Sequence, residues 1–277
     1  MATEIVNIYH PDVKADRLAG AIVDLAYQRE AYPKVAVEVL VGHGLATVII
    51  ESSVKFTPKD IKPLVERILG EGWTLKLICD PQDKYLAKNQ ESGIRTGDNG
   101  VYKGAPLTQE QITLREITNF ISDLYPTDGK YIFDEKLGKL IVCQSNCNSD
   151  ELKKTLQIRY PKYDIVVNPI GEWEESKLLI TDSGCTNRKL GVNMGQDAVN
   201  GSGLHGKDFS KGDLSINVYL FLEAQRTGKI QKAYCQIGDT YVNVNGNKVE
   251  FSTIVEKARE YIENTGGFEQ FACQSFV

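Results

Sequence analysis

The sequence predicts an α+β protein built from three pseudo-repeated α/β units, and three observations support that prediction. Helix starts recur near residues 12, 108 and 210, a period of about a hundred residues. Each start is followed by a pair of strand-like runs and a second helix, and in the first two rounds by a further strand. We therefore predict units at residues 1–107, 108–180 and 181–277, each with helices on one face of a sheet.

The composition is that of an ordinary globular protein, with 277 residues, 42% of them hydrophobic and 25% charged. The net charge of -5 comes from mixed charges without long like-charge runs, which argues against a nucleic acid or an anionic membrane as partner. No apolar stretch approaches the ~18 residues of a membrane span, and the N-terminus lacks a secretory signal, so we expect a cytoplasmic protein. The six cysteines are scattered, and we expect them to be reduced.

The first unit has the predicted order helix, hairpin, helix, strand, at residues 12–29, 34–41, 46–53, 57–70 and 73–79. Thr57 is a suitable N-cap for the second helix, and Pro58 fits its first position. In the first hairpin strand, four valines alternate with Ala36, Glu38 and Leu40, so both faces of the sheet are largely apolar. The second face must also be covered, and we therefore expect sheets packed together in a homodimer or larger assembly.

The same order recurs in the other two units. Elements are predicted at residues 108–124, 129–133, 140–144, 149–159 and 163–167, and again at 210–226, 231–237, 241–244 and 252–263, followed by a short tail. Two long stretches interrupt the pattern, 80–106 and 169–209, and both are rich in glycine, asparagine and aspartate. They are longer than connections usually need, so we expect binding loops there.

The loop that introduces the third unit carries the clearest chemical signal. Four cations lie among glycines before a predicted helix, together with three carboxylates: Arg188, Lys189, Lys207 and Lys211 with Asp182, Asp208 and Asp213. This composition suits a polyphosphate with Mg²⁺, because cations and helix-start amides neutralise phosphate oxygens while carboxylates hold the metal. A solvated charged loop is the alternative interpretation. The spacing around Gly206 and Lys207 excludes a P-loop.

These residues occur in the order of a family signature. Residues 181–189 resemble Gly-Asp-x-Gly-Leu-Thr-Gly-Arg-Lys, and residues 206–215 resemble Gly-Lys-Asp-Pro-Ser-Lys-Val-Asp-Arg-Ser, both from the methionine adenosyltransferase (S-adenosylmethionine synthetase) family. The matching residues are Asp182, Gly184, Thr186, Arg188, Lys189, Gly206, Lys207, Asp208, Ser210, Lys211, Asp213 and Ser215.

Earlier segments resemble the same family independently. Residues 10–16 resemble its N-terminal His-Pro-Asp-Lys-x-Ala-Asp motif, and Glu38 and Glu51 have the separation of its two hairpin glutamates. Further matches are residues 97–100 to Gly-Asp-Gln-Gly, 105–108 to Ala-Pro-Ile-Thr, 128–130 to Asp-Ala-Lys and 168–171 to Asn-Pro-Thr-Gly. The order is kept along nearly the whole chain, and the family fold has three pseudo-repeated α/β units.

The resemblance implies an enzyme that makes S-adenosylmethionine from ATP and L-methionine, and it implies a role for each matching residue. The implied catalytic residues are His10, Lys130, Arg188, Lys207 and Lys211. ATP would be bound by His10, Asp98, Asp128, Lys130, Trp173, Asp182, Arg188, Lys189, Gly203 and Lys207, and methionine by Glu51, Gln90, Asp182 and Lys211. Two Mg²⁺ ions per site would be held at Asp12 and Asp213, and K⁺ at Glu38. The active sites would lie between subunits of a homodimer or a dimer of dimers.

The chain departs from the family pattern at several positions. Val13 replaces a lysine, Glu172 replaces an arginine, the stretch between Gln90 and Asp98 is much shorter than the family's mobile lid, and the C-terminal extension is missing. Lys14 is one place along, which turns its side chain by about 100° on a helix. These departures leave an alternative function open, that of a catalytically impaired nucleotide-binding relative acting as a triphosphatase or a regulatory subunit.

Overall fold

The computed structural model describes residues 2–89, 93–176, 182–190 and 203–274. The helices are α1 (Pro11–Arg29), α2 (Pro58–Leu69), α3 (Lys84–Asn89), α4 (Gln109–Leu124), α5 (Ser149–Arg159), α6 (Gly212–Thr227), α7 (Phe251–Thr265) and α8 (Phe268–Gln274). The strands are β1 (Thr3–Val6), β2 (Val35–Gly42), β3 (Leu45–Ser52), β4 (Thr74–Asp80), β5 (Gly100–Gly104), β6 (Gly129–Asp134), β7 (Lys139–Gln144), β8 (Asp164–Val167), β9 (Gly184–Cys185), β10 (Gln231–Cys235), β11 (Tyr241–Val244) and β12 (Asn247–Glu250).

The strands form three four-stranded sheets. The first sheet has the order β9-β2-β3-β4 and the second β1-β6-β7-β8, and in both the first two pairs are antiparallel and the last pair is parallel. The third sheet, β5-β10-β11-β12, is antiparallel throughout. The mixed α and β architecture with several sheets agrees with the predicted fold class.

Each sheet takes its first strand from outside the unit in which the sequence places the other strands. β1 joins the second sheet, β9 from the 181–277 range joins the first, and β5 from the 1–107 range joins the third. The unpaired edge of each hairpin is thereby covered by a distant segment, which satisfies its backbone donors and acceptors. The predicted limits of the units remain predictions, but each sheet combines strands from two of the predicted ranges.

Two hydrophobic clusters lie beneath the sheets. One joins α1 and α2, under the first sheet, to α6, α7 and α8 near the third sheet, and the other fills the space between the second sheet, α4 and α5. The predicted short tail contains α8, which crosses α1 closely, because a Cβ on Gly20 would lie 2.5 Å from the carbonyl oxygen of Phe268. Asp24 of α1 accepts hydrogen bonds from the N–H groups of Phe268 and Glu269. The side chain that caps the N-terminus of α8 is therefore 244 residues away in the sequence.

The first sheet has one buried face and one exposed apolar face. Its valines at positions 35, 37, 39 and 41 are buried under α1, whereas Leu40, Leu45, Ile49 and Ile78 are 49%, 44%, 40% and 39% exposed. Side chains of alternate residues point to opposite faces of a strand, so Glu38 shares the exposed face with Leu40. No helix among the described ranges is long and apolar enough to cross a membrane.

Candidate active site

The N-terminus of α1 is buried and is capped by a histidine. Nδ1 of His10 accepts a hydrogen bond from the N–H of Asp12 at 3.1 Å, and Pro11 occupies the first helical position, where its missing N–H costs nothing. His10 is 4% exposed and Asp12 is 1% exposed. Pro11 has no N–H and the N–H of Asp12 is used by His10, so it is the positive end of the helix dipole that favours an anion at this point.

The segment that follows Gly184 packs directly on this helix start. An alanine Cβ at Gly184 would overlap the backbone carbonyl of Pro11, so only glycine permits the approach. The N–H of Cys185 then donates to Oδ1 of Asp12 at 2.8 Å. Arg188 and Lys189 follow on the same segment and lie 3.5 Å and 3.6 Å from the Asp12 carboxylate. Close backbone packing therefore places two predicted phosphate ligands, Arg188 and Lys189, at the N-terminus of α1.

Several cations converge on His10. Burial, and after it the positive charges of Lys189 and Lys130, lower the pKa of His10 to about 3. Asp182 and Arg188 also act on the pKa of this imidazole, which brings them into the same neighbourhood. Lys130 reaches the site from β6, and its Nζ lies 3.5 Å from Oε1 of Glu4 on β1. The imidazole is therefore neutral at physiological pH.

Asp128 is buried immediately before β6, on the same side of α1. Burial and then the charge of Glu175 raise the pKa of Asp128 to about 7, while Lys14 and Lys130 act in the opposite direction. Its N–H donates to Oε1 of Glu175 at 3.0 Å, and its Oδ1 is buried without a hydrogen-bond partner in the described ranges. Lys14 thus acts electrostatically on this cluster, whereas Val13 is 1% exposed and belongs to the core. We call the group His10, Asp12, Asp128, Lys130, Asp182, Arg188 and Lys189 the α1 cluster.

A second group forms along the edge of β2 that faces away from β3. The N–H of Thr186 donates to the carbonyl of Val39 at 3.0 Å, and the N–H of Val37 donates to the carbonyl of Gly206 at 2.8 Å. Two separate loops therefore dock on one strand edge. Between them, one carboxylate oxygen of Glu38 accepts from Oγ1 of Thr186, and the other lies 3.1 Å from Nζ of Lys207.

At the N-terminus of α6, a buried lysine lies near three carboxylates. Lys211 is the N-cap residue and is 5% exposed, and burial lowers its pKa against the opposing effects of Asp208, Asp98 and Glu51. Asp98 is held nearby, because its Oδ2 accepts from the N–H of Asp213 at 3.4 Å. We call the group Glu38, Glu51, Asp98, Lys207, Lys211 and Asp213 the α6 cluster.

Two residues to which the sequence assigned no role connect the clusters. Asp16 is buried on α1, and its pKa is raised well above the ordinary value, first by burial and then by the charges of Asp12 and Glu38. Its Oδ1 accepts from the N–H of Asn187 at 2.7 Å. Asn187 also accepts from the N–H groups of Leu204 and His205 and donates to the carbonyl of His205. Its φ of 64° lies in the left-handed region, which asparagine tolerates better than most residues. An asparagine in a loop segment is therefore the feature of the sequence that could have indicated a structural role for Asn187.

Two predicted ligands, Trp173 and Gly203, are not part of either cluster. Trp173 lies beside residues 146–148, where its carbonyl accepts from the N–H of Asn146. Glu172, where the family has arginine, accepts from the N–H of Ser149 at 2.7 Å and so stabilises the start of α5. Gly203 has a φ of 131° and approaches the Asn187 side chain, which gives it a local structural function. Gln90 lies outside the described residues.

The resemblance places metal ions at the carboxylates of Asp12, Asp213 and Glu38. No three His, Cys, Asp or Glu side chains within the described ranges lie close enough together to hold an ion by themselves. Mg²⁺ often binds one or two carboxylates together with substrate phosphates, and Oδ2 of Asp12, which is buried without a hydrogen-bond partner among the described residues, fits that use. The two oxygens of Glu38 contact Oγ1 of Thr186 and Nζ of Lys207, and K⁺ at this residue stays a prediction.

The fold and the two clusters define an α+β protein of three four-stranded sheets, with acidic and basic side chains grouped at two helix N-termini. A solved structure with this fold is that of an unusual S-adenosylmethionine synthetase from Campylobacter jejuni. It matches 100% of this chain and 94% of its own, with a TM-score of 0.74 and 18% sequence identity. The resemblance read from the motifs is thus confirmed at the level of the fold. No family model matches the sequence, and no curated protein matches it.

Proposed function

We propose that the chain is a methionine adenosyltransferase that makes S-adenosylmethionine from ATP and L-methionine and hydrolyses the released triphosphate to pyrophosphate and phosphate. The observation that carries this proposal is the convergence of Lys130, Arg188 and Lys189 on the buried, histidine-capped start of α1. The positive end of the helix dipole and the cations together stabilise a polyphosphate anion. The fold shared with a synthetase of this kind supports the same reaction.

The chemistry needs positioning and charge stabilisation more than a base. The thioether sulfur of methionine is already a nucleophile, and its attack on C5′ of ATP expels the triphosphate as an anion. His10 is neutral, and its Nδ1 accepts from Asp12, so the ring proton is on Nε2. A neutral Nε2–H donor beside the leaving oxygen would stabilise the developing negative charge. Mg²⁺ held by Asp12 and Asp213 would supply further neutralisation of the phosphates.

The α6 cluster supplies the other half of the proposed site. Lys211 would bind the methionine carboxylate, Glu51 and Asp182 its ammonium group, and Lys207 the triphosphate. We propose that the exposed apolar face of the first sheet packs against a second copy of the chain, because exposed apolar patches of this kind mark interfaces. The α1 cluster of one copy would then face the α6 cluster of the other.

A second candidate function is that of a triphosphatase or regulatory relative without adenosyl transfer. The observation that favours it is the burial of Val13 in the core at the place of a family lysine. Purified protein incubated with ATP, methionine, Mg²⁺ and K⁺ should yield S-adenosylmethionine with pyrophosphate and phosphate. Phosphate without the sulfonium product would support a triphosphatase, whereas no turnover of ATP or of inorganic triphosphate would exclude both enzymatic activities and favour a regulatory relative.

Complementation tests the shared site. His10→Ala and Lys211→Ala are each expected to be inactive alone. If one site combines His10 of one copy with Lys211 of the other, mixed dimers contain one intact site, and re-assembled mixtures should recover about a quarter of the wild-type activity. A mixture that forms mixed dimers and stays inactive would show that each site belongs to one chain.

A further inference from the structure

A cavity of about 570 Å³ lies outside both clusters, between α1, α7 and the turn 207–211. Its walls include Tyr27 of α1, Val255 and Arg259 of α7, and Phe209 of the turn. We call it the α1–α7 cavity. Its volume is within the range of about 300–1,000 Å³ that is usual for small-molecule sites.

One wall of the cavity is aromatic and carries a cation. The rings of Tyr27 and Phe209 meet edge to face with their centroids 5.4 Å apart. The guanidinium of Arg259 lies 4.5 Å from the centroid of Phe209 and 5.4 Å from that of Tyr27. Val255 adds a buried apolar surface beside them. A flat, apolar ring is the shape that such a wall accommodates.

The charged groups around the cavity leave basic donors in excess. Lys34, Arg95 and Arg259 line it together with Asp208 and Glu256. The carboxylate of Asp208 already accepts from the N–H groups of Val35 and Ser210, so it is occupied. Arg259 contacts Glu263 at 3.4 Å and hydrogen-bonds to the side chain of Tyr27, which leaves part of its five N–H donors for another partner. Buried polar atoms normally have a partner, yet Nε of Arg95 is buried and has none in the described ranges.

We infer that the α1–α7 cavity binds an aromatic carboxylate, with its ring against Phe209 and its carboxylate between Arg95 and Arg259. Guanidinium groups bind carboxylates through paired, charge-assisted hydrogen bonds, which makes this the anion that best fits the free donors. Lys207 points from the same turn towards Glu38 on the other side. An occupant of the cavity therefore contacts the turn that carries Lys207 and Lys211.

The test uses 2-naphthoate, a fluorescent aromatic carboxylate, titrated into the full chain. Saturable binding with one site per chain is expected. Ser252→Trp, on the exposed edge of the cavity, should weaken binding about tenfold or more by filling the space. Thr253→Trp is the matched control, because Thr253 is also exposed on α7 but does not line the cavity. Equal binding by wild type and Ser252→Trp would overturn the inference.

Two comparisons test the carboxylate part separately. The neutral alcohol 2-naphthalenemethanol should bind about tenfold more weakly than 2-naphthoate, because it lacks the charge that pairs with the guanidinium groups. Arg95→Gln should weaken 2-naphthoate binding by a similar factor, whereas Arg226→Gln, which changes an exposed arginine of α6, should not. Equal affinities for the acid and the alcohol would overturn the assignment of an anion site.

Discussion

Replacing Gly184 with alanine tests whether the close packing of β9 on α1 holds the site together. The new Cβ would overlap the carbonyl of Pro11 and lie 2.8 Å from the N–H nitrogen of Asp12. These are backbone atoms, so the clash is relieved only if β9 moves away. That movement breaks the hydrogen bond from Cys185 to Asp12, which contributes about 1.5–3 kcal/mol as a bond to a charged group. Overpacking adds about 1–3 kcal/mol, for a total loss of roughly 2.5–6 kcal/mol.

The measurement is the unfolding temperature with its matched control. For a chain of this size, a loss of this magnitude lowers the melting temperature by on the order of 5–15 °C. Gly42→Ala is the control, because its Cβ would lie 3.5 Å from the Cβ of Ser183, an ordinary contact in the same sheet. The control should melt within about 2 °C of wild type. If Gly184→Ala melted with the control and kept wild-type ATP turnover, the proposed dependence of the site on this packing would be refuted.

Three further predictions concern single side chains. Lys207→Met should lower adenosyl transfer by about 100-fold or more, because it removes a positive charge that would stabilise the leaving phosphates. The melting temperature should change little, because the ion pair of Lys207 with Glu38 is partly exposed. The control Lys229→Met, at an exposed lysine, should change neither quantity, and normal activity of Lys207→Met would remove Lys207 from the site. Asn187→Ala should cost about 2–4 kcal/mol of unfolding free energy in urea, and Asn187→Gly, which also relieves the backbone strain, should still lose most of it because the side-chain bonds are gone. Burial lowers the pKa of His10 and His205 from 6.5 to about 3, so each imidazole protonates more readily in the unfolded chain, and its contribution to stability is lost as the pH falls from 6.5 towards 3. Histidine NMR signals that do not titrate between about pH 5 and 8 are expected for both, and a midpoint near 6.5 would contradict the burial argument.

Local patterns predicted most of the helices and hairpins. The predicted helix at 149–159 has the observed bounds, and α1, α2 and α4 begin within a residue or so of the prediction. The start of α2 shows why, since Thr57 and Asp60 form a capping box and Pro58 stands at the first position. Such signals lie within a few residues of one another, so a linear sequence contains them in full.

Local patterns did not predict three of the short strands. β1, β5 and β9 are two to five residues long, and each pairs with a strand far away in the chain. A run of two residues such as Gly184–Cys185 has no periodicity to detect. Its position depends on the edge of β2 that faces away from β3 and on the room beside Pro11, neither of which is a local property of the sequence.

The candidate site divides in the same way. The residue types and their order identified most members of the α1 and α6 clusters, because cations and carboxylates in glycine-rich loops are visible in one dimension. Asp16 and Asn187 had no assigned role, since what they do is to join segments that are more than 150 residues apart in the chain. Trp173 was assigned to adenine by its place in a motif, and whether it stacks there stays a prediction.

By itself, the sequence determined the succession of helices and hairpins, the exposed apolar face of the first sheet and the set of charged residues available for a polyphosphate. Only the tertiary structure decided that His10 is buried and neutral, that two loops share the edge of β2, and that Asp16 lies between the two clusters. The physical reason is that helix and turn preferences act over a few residues, whereas burial and edge pairing depend on which distant segments occupy the same space.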